Sequence, residues 1–324
     1  MRAVVVDRLM EPSELRVSEA PLPKLWPGTI AVDVRAAGCN FFDILMCQGK
    51  YQMKPPFPFI PGAEASGVVV EVAGDVKGFA TGDRVLLSTP LGAFAERVVA
   101  SARGAWKMPA KMSFEEAAAF PIVYPTSYAA LVYRARLQPG EWLLVHAAAG
   151  GVGIAAVQIG KALGARVIAT ASGADKLEVA RAAGADVLID YQREDFALRV
   201  KEATDGKGAD VIYDPVGGDV FDQSLKCIAW SGRLLVIGFA GGRIPEVKMN
   251  RILLKNISVV GLHWGAYAQH EPARVPETMG ALFRLYDEGK IKPVIFRTYP
   301  LEEIADALAA LGGRKTWGKV IVAP

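Results

Sequence analysis

Short apolar segments, divided by proline and glycine, run through the first 120 residues of the chain. Five of them predict β-strands: Arg2–Val6, Ile30–Ala36, Ala65–Val72, Arg84–Ser88 and Phe94–Val99. Turn-rich strands at this spacing are typical of a compact β-barrel-like domain. A helix is predicted only at Ser113, where Glu116 completes a capping box before Pro121 and Pro125 interrupt the pattern. We therefore predict a β-rich first domain over residues 1–122.

From Glu141 onward the pattern alternates between strand-like and helix-like segments. The strand-like segments are Trp142–His146, Arg166–Thr170, Val187–Asp190, Val211–Asp214, Leu234–Gly238 and Ile257–Leu262. The helix-like segments are Val152–Leu163, Lys176–Ala183, Glu194–Ala203, Phe221–Ala229, Pro276–Asp287 and Leu301–Leu311. Strands joined by crossovers of helical length predict a doubly wound parallel sheet, so the fold class is α/β with a second domain over 123–262. Residues 263–324, which end in the apolar strand Val320–Ala323, are predicted to return to the first domain.

Composition and charge narrow the class of protein. Apolar residues make up 52% of the chain and charged residues 22%, enough apolar surface to bury a large core. The net charge of +3, from 37 Lys+Arg and 34 Asp+Glu, is too small for a dedicated nucleic-acid binder. Cys39, Cys47 and Cys227 form no CxxC pair, which indicates a reducing compartment. With charged residues near the N-terminus and glycines breaking the apolar stretch Trp142–Ile159, we expect a cytoplasmic protein with no signal peptide and no membrane span.

The segment from His146 to Gln158 carries the strongest chemical signal. Its glycine-rich turn follows an apolar strand and opens an amphipathic helix, the context that a dinucleotide-binding fingerprint requires. The residues predicted to receive a pyrophosphate at this helix N-terminus are Ala149, Gly150, Gly151 and Val152. Gly153 and Ala156 are expected to keep the helix close to the sheet. The first glycine of the usual fingerprint is Ala148 here, and a glycine turn can also serve packing alone.

The residues after the second strand of this sheet select the nucleotide. An NAD site usually places Asp or Glu there to hold the ribose hydroxyls. The chain instead has a hydroxyl at Ser172 and a cation at Lys176, which together suit a 2′-phosphate, and Tyr191 is placed to wall the same pocket. We therefore predict NADPH over NADH. The alternative is that Lys176 is only a solvated residue of a helical first turn.

The chain resembles the medium-chain dehydrogenase/reductase superfamily, and within it the zinc-free quinone oxidoreductases, the zeta-crystallin-like group. The resemblance covers nearly the whole chain from about residue 36. It rests on the segments Ala37–Asp43, Gln48–Tyr51, Phe59–Gly67, Gly82–Val85, Ala148–Gly153, Asp214–Gly218 and Gly318–Val320. It implies a GroES-like β-rich catalytic domain beside a Rossmann cofactor domain.

The same resemblance bears on metal binding. The zinc-dependent members bind catalytic zinc through Cys, His and Cys, but the first Cys position is Asn40 here and the His position is Ala63. The cysteines of their structural zinc lobe are absent between Leu91 and Ser101. Zinc needs three or four such ligands, so we predict no metal site. Without ligands for a Lewis acid, the expected acceptor is one that delocalises the incoming charge itself, a quinone or an α,β-unsaturated carbonyl.

The resemblance also suggests which residues act. Asn40, Asp43 and Tyr51 are the candidate catalytic residues, and Asn40 and Tyr51 are also expected to contact the cofactor. For Asp43 a structural role, fixing the loop from Asn40 to Tyr51, is favoured over direct involvement. The remaining expected cofactor contacts are Thr126, the segment Gly238-Phe239-Ala240, and Lys319. Tyr124 stands where many relatives have glycine. For the aromatic residues, cleft packing is the alternative role.

Several functions and one assembly state follow as expectations. The first function is an NADPH-dependent quinone oxidoreductase acting on a small molecule. The alternatives are an enone or 2-enoyl-thioester reductase, and an NADPH-binding protein with little turnover. The apolar strand Ile257–Leu262 is expected at a sheet edge, where family members commonly dimerise, so we predict a homodimer.

Overall fold

The computed structural model describes all 324 residues. Its strands are β1 (Arg2–Val4), β2 (Val17–Glu19), β3 (Thr29–Gly38), β4 (Glu64–Val72), β5 (Arg84–Ser88), β6 (Arg97–Ser101), β7 (Ala105–Lys107), β8 (Trp142–Val145), β9 (Arg166–Ala171), β10 (Val187–Asp190), β11 (Ala209–Asp214), β12 (Ile228–Val236), β13 (Ser258–Gly261), β14 (Ile295–Pro300) and β15 (Lys319–Ala323). The chain forms two compact units, one from Met1–Ile122 with Pro293–Pro324 and one from Val123–Lys292.

The α-helices are α1 (Phe41–Cys47), α2 (Phe114–Ala118), α3 (Val123–Tyr128), α4 (Gly151–Ala162), α5 (Ala174–Ala182), α6 (Phe196–Ala203), α7 (Gly218–Cys227), α8 (Met249–Lys255), α9 (Tyr267–His270), α10 (Arg274–Asp287) and α11 (Ile304–Gly312). A π-helix, Ala129–Arg134, continues α3. Single 3₁₀ turns lie at Pro12–Glu14, Ala102–Gly104, Trp264–Ala266 and Leu301–Glu303. None of the helices combines the length and the apolar character that crossing a membrane requires.

The first unit is built on a seven-stranded sheet with the order β14-β15-β3-β4-β5-β7, and β6 pairs with β3. The C-terminal strand β15 pairs antiparallel with β3, so the predicted return of the chain end to this unit is confirmed. Strands β3 and β4 approach closely at Gly67, where a Cβ atom would lie 2.1 Å from the Asp33 carbonyl oxygen. Helix α2 begins as predicted, with the Ser113 hydroxyl accepting the Glu116 N–H at 3.2 Å.

The second unit contains a six-stranded sheet with the order β10-β9-β8-β11-β12-β13, in which every pairing is parallel. The central strand β8 is buried on both faces, with Leu143, Leu144 and Val145 fully covered, as expected for a sheet that carries helices on both sides. The chain runs outward from β8 to β10 and then restarts at β11 on the other side. The predicted doubly wound sheet is therefore confirmed, and its switch point lies between β8 and β11.

The structure places the second domain boundary later than the sequence predicted. Residues 263–292 pack with the second unit, and only residues from Pro293 onward belong to the first. Helix α10 accounts for the difference: Thr278 hydrogen-bonds the Tyr133 hydroxyl at 3.0 Å, and the Arg274 guanidinium lies 4.5 Å from the centre of the Tyr133 ring. The amphipathic pattern of α10 identified the helix but not the unit against which it packs.

Candidate active site

The glycine turn and the first turn of α4 form a cradle at the carboxyl edge of the second unit's sheet. Gly150 is the N-cap residue of α4, and its carbonyl oxygen accepts the Ile154 N–H at 2.8 Å. A Cβ atom on Gly153 would lie 2.2 Å from the Ala147 carbonyl oxygen, so only glycine lets the helix start this close to the turn. The first N–H groups of a helix have no partner inside it, and here they mark a place for an anion.

His146, the residue before this turn, is fixed by two buried hydrogen bonds, a role that the sequence did not suggest. The ring is 1% exposed, with Nδ1 2.9 Å from Thr170 Oγ1 and Nε2 2.9 Å from Ser224 Oγ. Ser224 donates its hydroxyl proton to the Val220 carbonyl oxygen, so it accepts from His146 Nε2–H, and Nδ1 accepts from Thr170. Burial lowers the pKa of His146 to about 3, which keeps the ring neutral. The ring thus ties the end of β8 to β9 and α7.

A second buried chain of hydroxyls links α3 to α4. Ser127 donates to the Val152 carbonyl oxygen at 3.0 Å and accepts from the Tyr213 hydroxyl at 2.9 Å. Burial raises the pKa of Tyr213, so the phenol remains a donor. Thr126, the neighbouring residue, is half-buried on the same short helix. The structure therefore holds Thr126 in a fixed relation to the first turn of α4.

The end of β9 carries the residues predicted to choose the nucleotide. Ser172 follows the last strand residue directly, and Lys176 lies in the first turn of α5. Tyr191 lies near the end of β9, because its backbone N–H donates to the Ala171 carbonyl oxygen at 3.3 Å. Its side chain is 46% exposed. The acid on the adjacent strand, Asp190, accepts the Gln192 N–H within its own turn.

The loops after β11 and β12 complete this edge. Asp214 is buried and accepts the Val216 and Gly217 N–H groups at 2.8 and 2.9 Å; burial raises its pKa, and these two bonds oppose the rise. Ala240 N–H in turn donates to the Pro215 carbonyl oxygen at 3.1 Å. The predicted residues Gly238, Phe239 and Ala240 therefore lie at the same sheet edge as the glycine turn.

A buried polar cluster forms around Asn40 in the first unit. Lys319 Nζ donates to the Cys39 carbonyl oxygen at 2.8 Å, to Asn40 Oδ1 at 2.8 Å and to Glu64 Oε1 at 2.6 Å. Asn40 Nδ2 donates to the same Glu64 oxygen at 2.8 Å. The other carboxylate oxygen of Glu64 accepts the Ile122 N–H at 3.0 Å. Glu64 and Lys319 are 0% and 5% exposed, so they form a desolvated ion pair.

Lys319 is a predicted cofactor contact whose hydrogen-bond donors all have partners within the first unit. An ammonium group has three N–H donors, and all three are used inside the first unit. The structure therefore places Lys319 within the buried cluster, and its contact with the cofactor stays a prediction. The sequence placed Lys319 beside a glycine at a strand start but could not show which side chains surround it.

Asp43 also has a different position from the one expected of a catalytic residue. Its side chain is completely buried, and Oδ2 accepts the Asn40 backbone N–H at 2.7 Å, which caps helix α1. Its Oδ1 has no hydrogen-bond partner. Burial raises the pKa of Asp43 to about 7, against the lowering effect of the Asn40 N–H and of Lys319. The side chain has no exposed surface and caps the helix that follows Asn40, which supports the structural role in fixing this loop that the sequence favoured.

Tyr51 differs from Asp43 because it is only half-buried. Its ring stacks on Phe42, with centroids 5.4 Å apart and planes at 26°. Burial and the charge of Asp43 both raise the pKa of Tyr51, so the phenol keeps its proton and can donate a hydrogen bond. Asn40 is 8% exposed. Asn40 and Tyr51 remain the candidates in this unit for contact with a ligand.

Side chains that bind metals are not gathered anywhere in the structure. No group of three or more His, Cys, Asp or Glu residues is arranged to hold a metal ion. The three cysteines are buried and unpaired, and burial raises the pKa of the Cys47 thiol to about 12.

Comparison with known proteins shows which family the chain belongs to. A model described as alcohol dehydrogenase GroES-like domain matches residues 26–110, and one described as zinc-binding dehydrogenase matches residues 151–283. A quinone oxidoreductase-like protein 2 homolog from Nematostella vectensis is 43% identical over 99% of this chain and 88% of its own length. The chain belongs to the zinc-free quinone oxidoreductase family of medium-chain dehydrogenase/reductases.

Solved structures of this family agree with the fold. The Escherichia coli quinone oxidoreductase complexed with NADPH superposes with a TM-score of 0.93 at 33% identity, covering 100% of both chains. A mycobacterial protein complexed with NADPH gives a TM-score of 0.93 at 32% identity, again over 100% of both chains. The expected combination of a GroES-like domain and a Rossmann-type parallel sheet is thereby confirmed.

Proposed function

We propose that this protein is an NADPH-dependent oxidoreductase that transfers hydride to a quinone. The observation that carries the proposal is the carboxyl edge of the second unit's sheet. There, a helix N-terminus suited to a pyrophosphate lies at the same sheet edge as Ser172, Lys176 and Tyr191, the residues predicted to meet the ribose end. The Escherichia coli quinone oxidoreductase and the mycobacterial protein named above, both solved with NADPH, support the same proposal.

The residues present fit NADPH by their chemistry. The N–H groups of Gly151 and Val152 lie at the start of a 12-residue helix, whose dipole favours a pyrophosphate. A 2′-phosphate suits the Ser172 hydroxyl and the Lys176 ammonium, whereas an aspartate at the end of β9 would repel it. The loop Gly238-Phe239-Ala240, fixed through Pro215, is the proposed contact for the nicotinamide carboxamide.

In the first unit we assign Asn40 and Tyr51 to the acceptor. NADPH, when bound, supplies hydride from its nicotinamide ring. Quinone reduction places negative charge on an oxygen, and hydrogen-bond donors aimed at that oxygen stabilise it. The Tyr51 phenol is protonated and half-buried, so it can donate to this oxygen, and the Asn40 amide is the second polar group.

An acceptor panel tests the proposal. NADPH oxidation is measured with a quinone, an alkenal and a crotonyl thioester, each with and without a chelator. We expect the quinone to give the highest kcat/KM, unchanged by the chelator. Faster turnover of the crotonyl thioester would replace the quinone with an enoyl substrate. Tight NADPH binding with no oxidation by any acceptor would instead indicate a low-turnover nucleotide-binding protein.

We also propose a homodimer in the cytoplasm. Strand β13 pairs only with β12, so the predicted sheet edge is present, and an edge strand of this kind can pair with a second copy. The segment leading into it exposes Met249, Leu253 and Leu254 to at least 71% each, which supports cover by a second copy. The unpaired, buried cysteines support a reducing compartment.

A further inference from the structure

The buried ion pair of Lys319 and Glu64 brackets the side-chain amide of Asn40. The ammonium lies 2.8 Å from one end of the amide, and the carboxylate lies 2.8 Å from the other. An ammonium group can only donate hydrogen bonds, and a carboxylate can only accept them. The amide oxygen must therefore face Lys319 and the amide nitrogen must face Glu64. The opposite orientation would set donor against donor and acceptor against acceptor.

We propose that Lys319 and Glu64 are positioning residues that fix the orientation of the Asn40 amide for the acceptor. The inference rests on the proposed reductase function. Asn40 retains little hydrogen-bonding capacity for a ligand, chiefly the Nδ2–H whose contact with the Gly38 carbonyl oxygen is long at 3.4 Å. Whether this N–H meets a ligand depends on the direction of the amide, and the ion pair sets that direction.

Two backbone bonds near Asn40 do not involve this pair. The Asn40 N–H donates to Asp43 Oδ2 at 2.7 Å, and the Cys39 N–H donates to the Val320 carbonyl oxygen at 2.9 Å. The pair contributes one backbone contact, from Lys319 Nζ to the Cys39 carbonyl oxygen at 2.8 Å, but it contacts both ends of the side-chain amide. The two N–H bonds remain when the pair is removed, so we expect the amide to be affected more than the loop.

The decisive variant is K319M/E64Q. It removes the ammonium and converts the carboxylate into an amide that offers both a donor and an acceptor, so either orientation of Asn40 becomes possible. The carbonyl oxygen of the amide introduced by E64Q can still accept the Ile122 N–H. We expect N40A to lower quinone kcat/KM about 10- to 100-fold, and K319M/E64Q to lower it by a similar factor.

The triple variant N40A/K319M/E64Q shows whether the ion pair affects kcat/KM through Asn40 or independently of Asn40. If the pair acts through Asn40, the triple variant has a kcat/KM within about twofold of N40A alone. Losses that multiply would overturn the proposal. The matched control is R233M/E141Q, which removes a paired arginine and glutamate in the second unit and should leave kcat/KM unchanged.

One further measurement tests the orientation of the amide directly. Hydrogen exchange of the Asn40 side-chain amide, followed by NMR without substrate, should be at least about tenfold faster in K319M/E64Q. Unchanged exchange overturns the positioning role, whereas an inactive parent protein overturns only the reductase function.

Discussion

At the scale of single residues, the buried carboxyl groups of Asp43 and Glu64 differ in how they are compensated. Glu64 lies against the Lys319 ammonium, whereas Asp43 has one oxygen on a backbone N–H and one with no partner. Burial of the Asp43 carboxyl raises its pKa by more than its backbone hydrogen bonds and the charge of Lys319 lower it, which favours the protonated form. This difference makes the stability of the protein depend on pH.

The effect of pH should be visible in the variant D43N. Burial raises the pKa of Asp43 to about 7, and the same group in an unfolded chain has a pKa of about 3.9. Between these values the folded protein holds a proton that the unfolded chain has lost, so the contribution of Asp43 to stability falls as pH rises. We expect the free energy of unfolding of D43N, relative to the parent, to rise by up to about 4 kcal/mol from pH 4 to pH 8.

Urea unfolding at several pH values measures this difference. The matched control is Asp175→Asn, which alters an exposed aspartate in the first turn of α5. Parallel stability profiles for D43N and the parent protein would mean that Asp43 has an ordinary pKa in the folded state.

The nucleotide preference that we propose also depends on single residues. Replacing Lys176 with Met removes a cation proposed to meet the 2′-phosphate, so Kd for NADPH should rise about tenfold while Kd for NADH stays the same. Fluorescence titration with both nucleotides measures the two constants. Lys226→Met, an exposed lysine on α7, is the control. Equal weakening of both nucleotides would show that Lys176 does not distinguish them.

At the scale of elements, the contact between α4 and the turn before it decides whether the cradle forms. In G153A the new Cβ would lie 2.2 Å from the Ala147 carbonyl oxygen and 2.8 Å from Ala148 Cα. Because both are backbone atoms, the helix itself must move. We expect a loss of about 1–3 kcal/mol in the free energy of unfolding, and weaker NADPH binding.

Thermal unfolding and NADPH titration of G153A test this contact. Gly74→Ala is the control, because a Cβ atom there meets nothing within 4 Å. If G153A bound NADPH as well as the parent protein does, close approach of α4 would not be needed for the nucleotide.

At the scale of the whole molecule, we predict a homodimer. Strand β13 lies at a sheet edge, and exposed apolar residues precede it. Light scattering at micromolar concentration should give about twice the chain mass of 34.6 kDa. The variant L253K/L254K should be monomeric, because it places two charges on the apolar surface. Leu198→Lys, on α6 and 58% exposed, should leave the mass unchanged. A monomeric parent protein would contradict the dimer.

The amino-acid sequence by itself predicted the alternating strands and helices of the second unit and the candidate residues at its cofactor edge. Apolar periodicity and glycine placement are local, so they predicted Val187–Asp190, Arg84–Ser88 and the glycine turn before α4, all of which the structure contains. The carboxyl ends of parallel strands meet at one edge, so residues as distant as Ser172 and Gly238 could be assigned to one site.

Only the tertiary structure decided which polar side chains meet in the interior. The sequence did not predict β14, or that residues 263–292 pack with the second unit. Lys319 and Asn40 lie 279 positions apart, and their contact arises because β15 returns beside β3. Hydrogen bonds and ion pairs over such separations depend on how strands pair, which local patterns do not encode. That is why Lys319 was expected at the cofactor and is found holding Asn40.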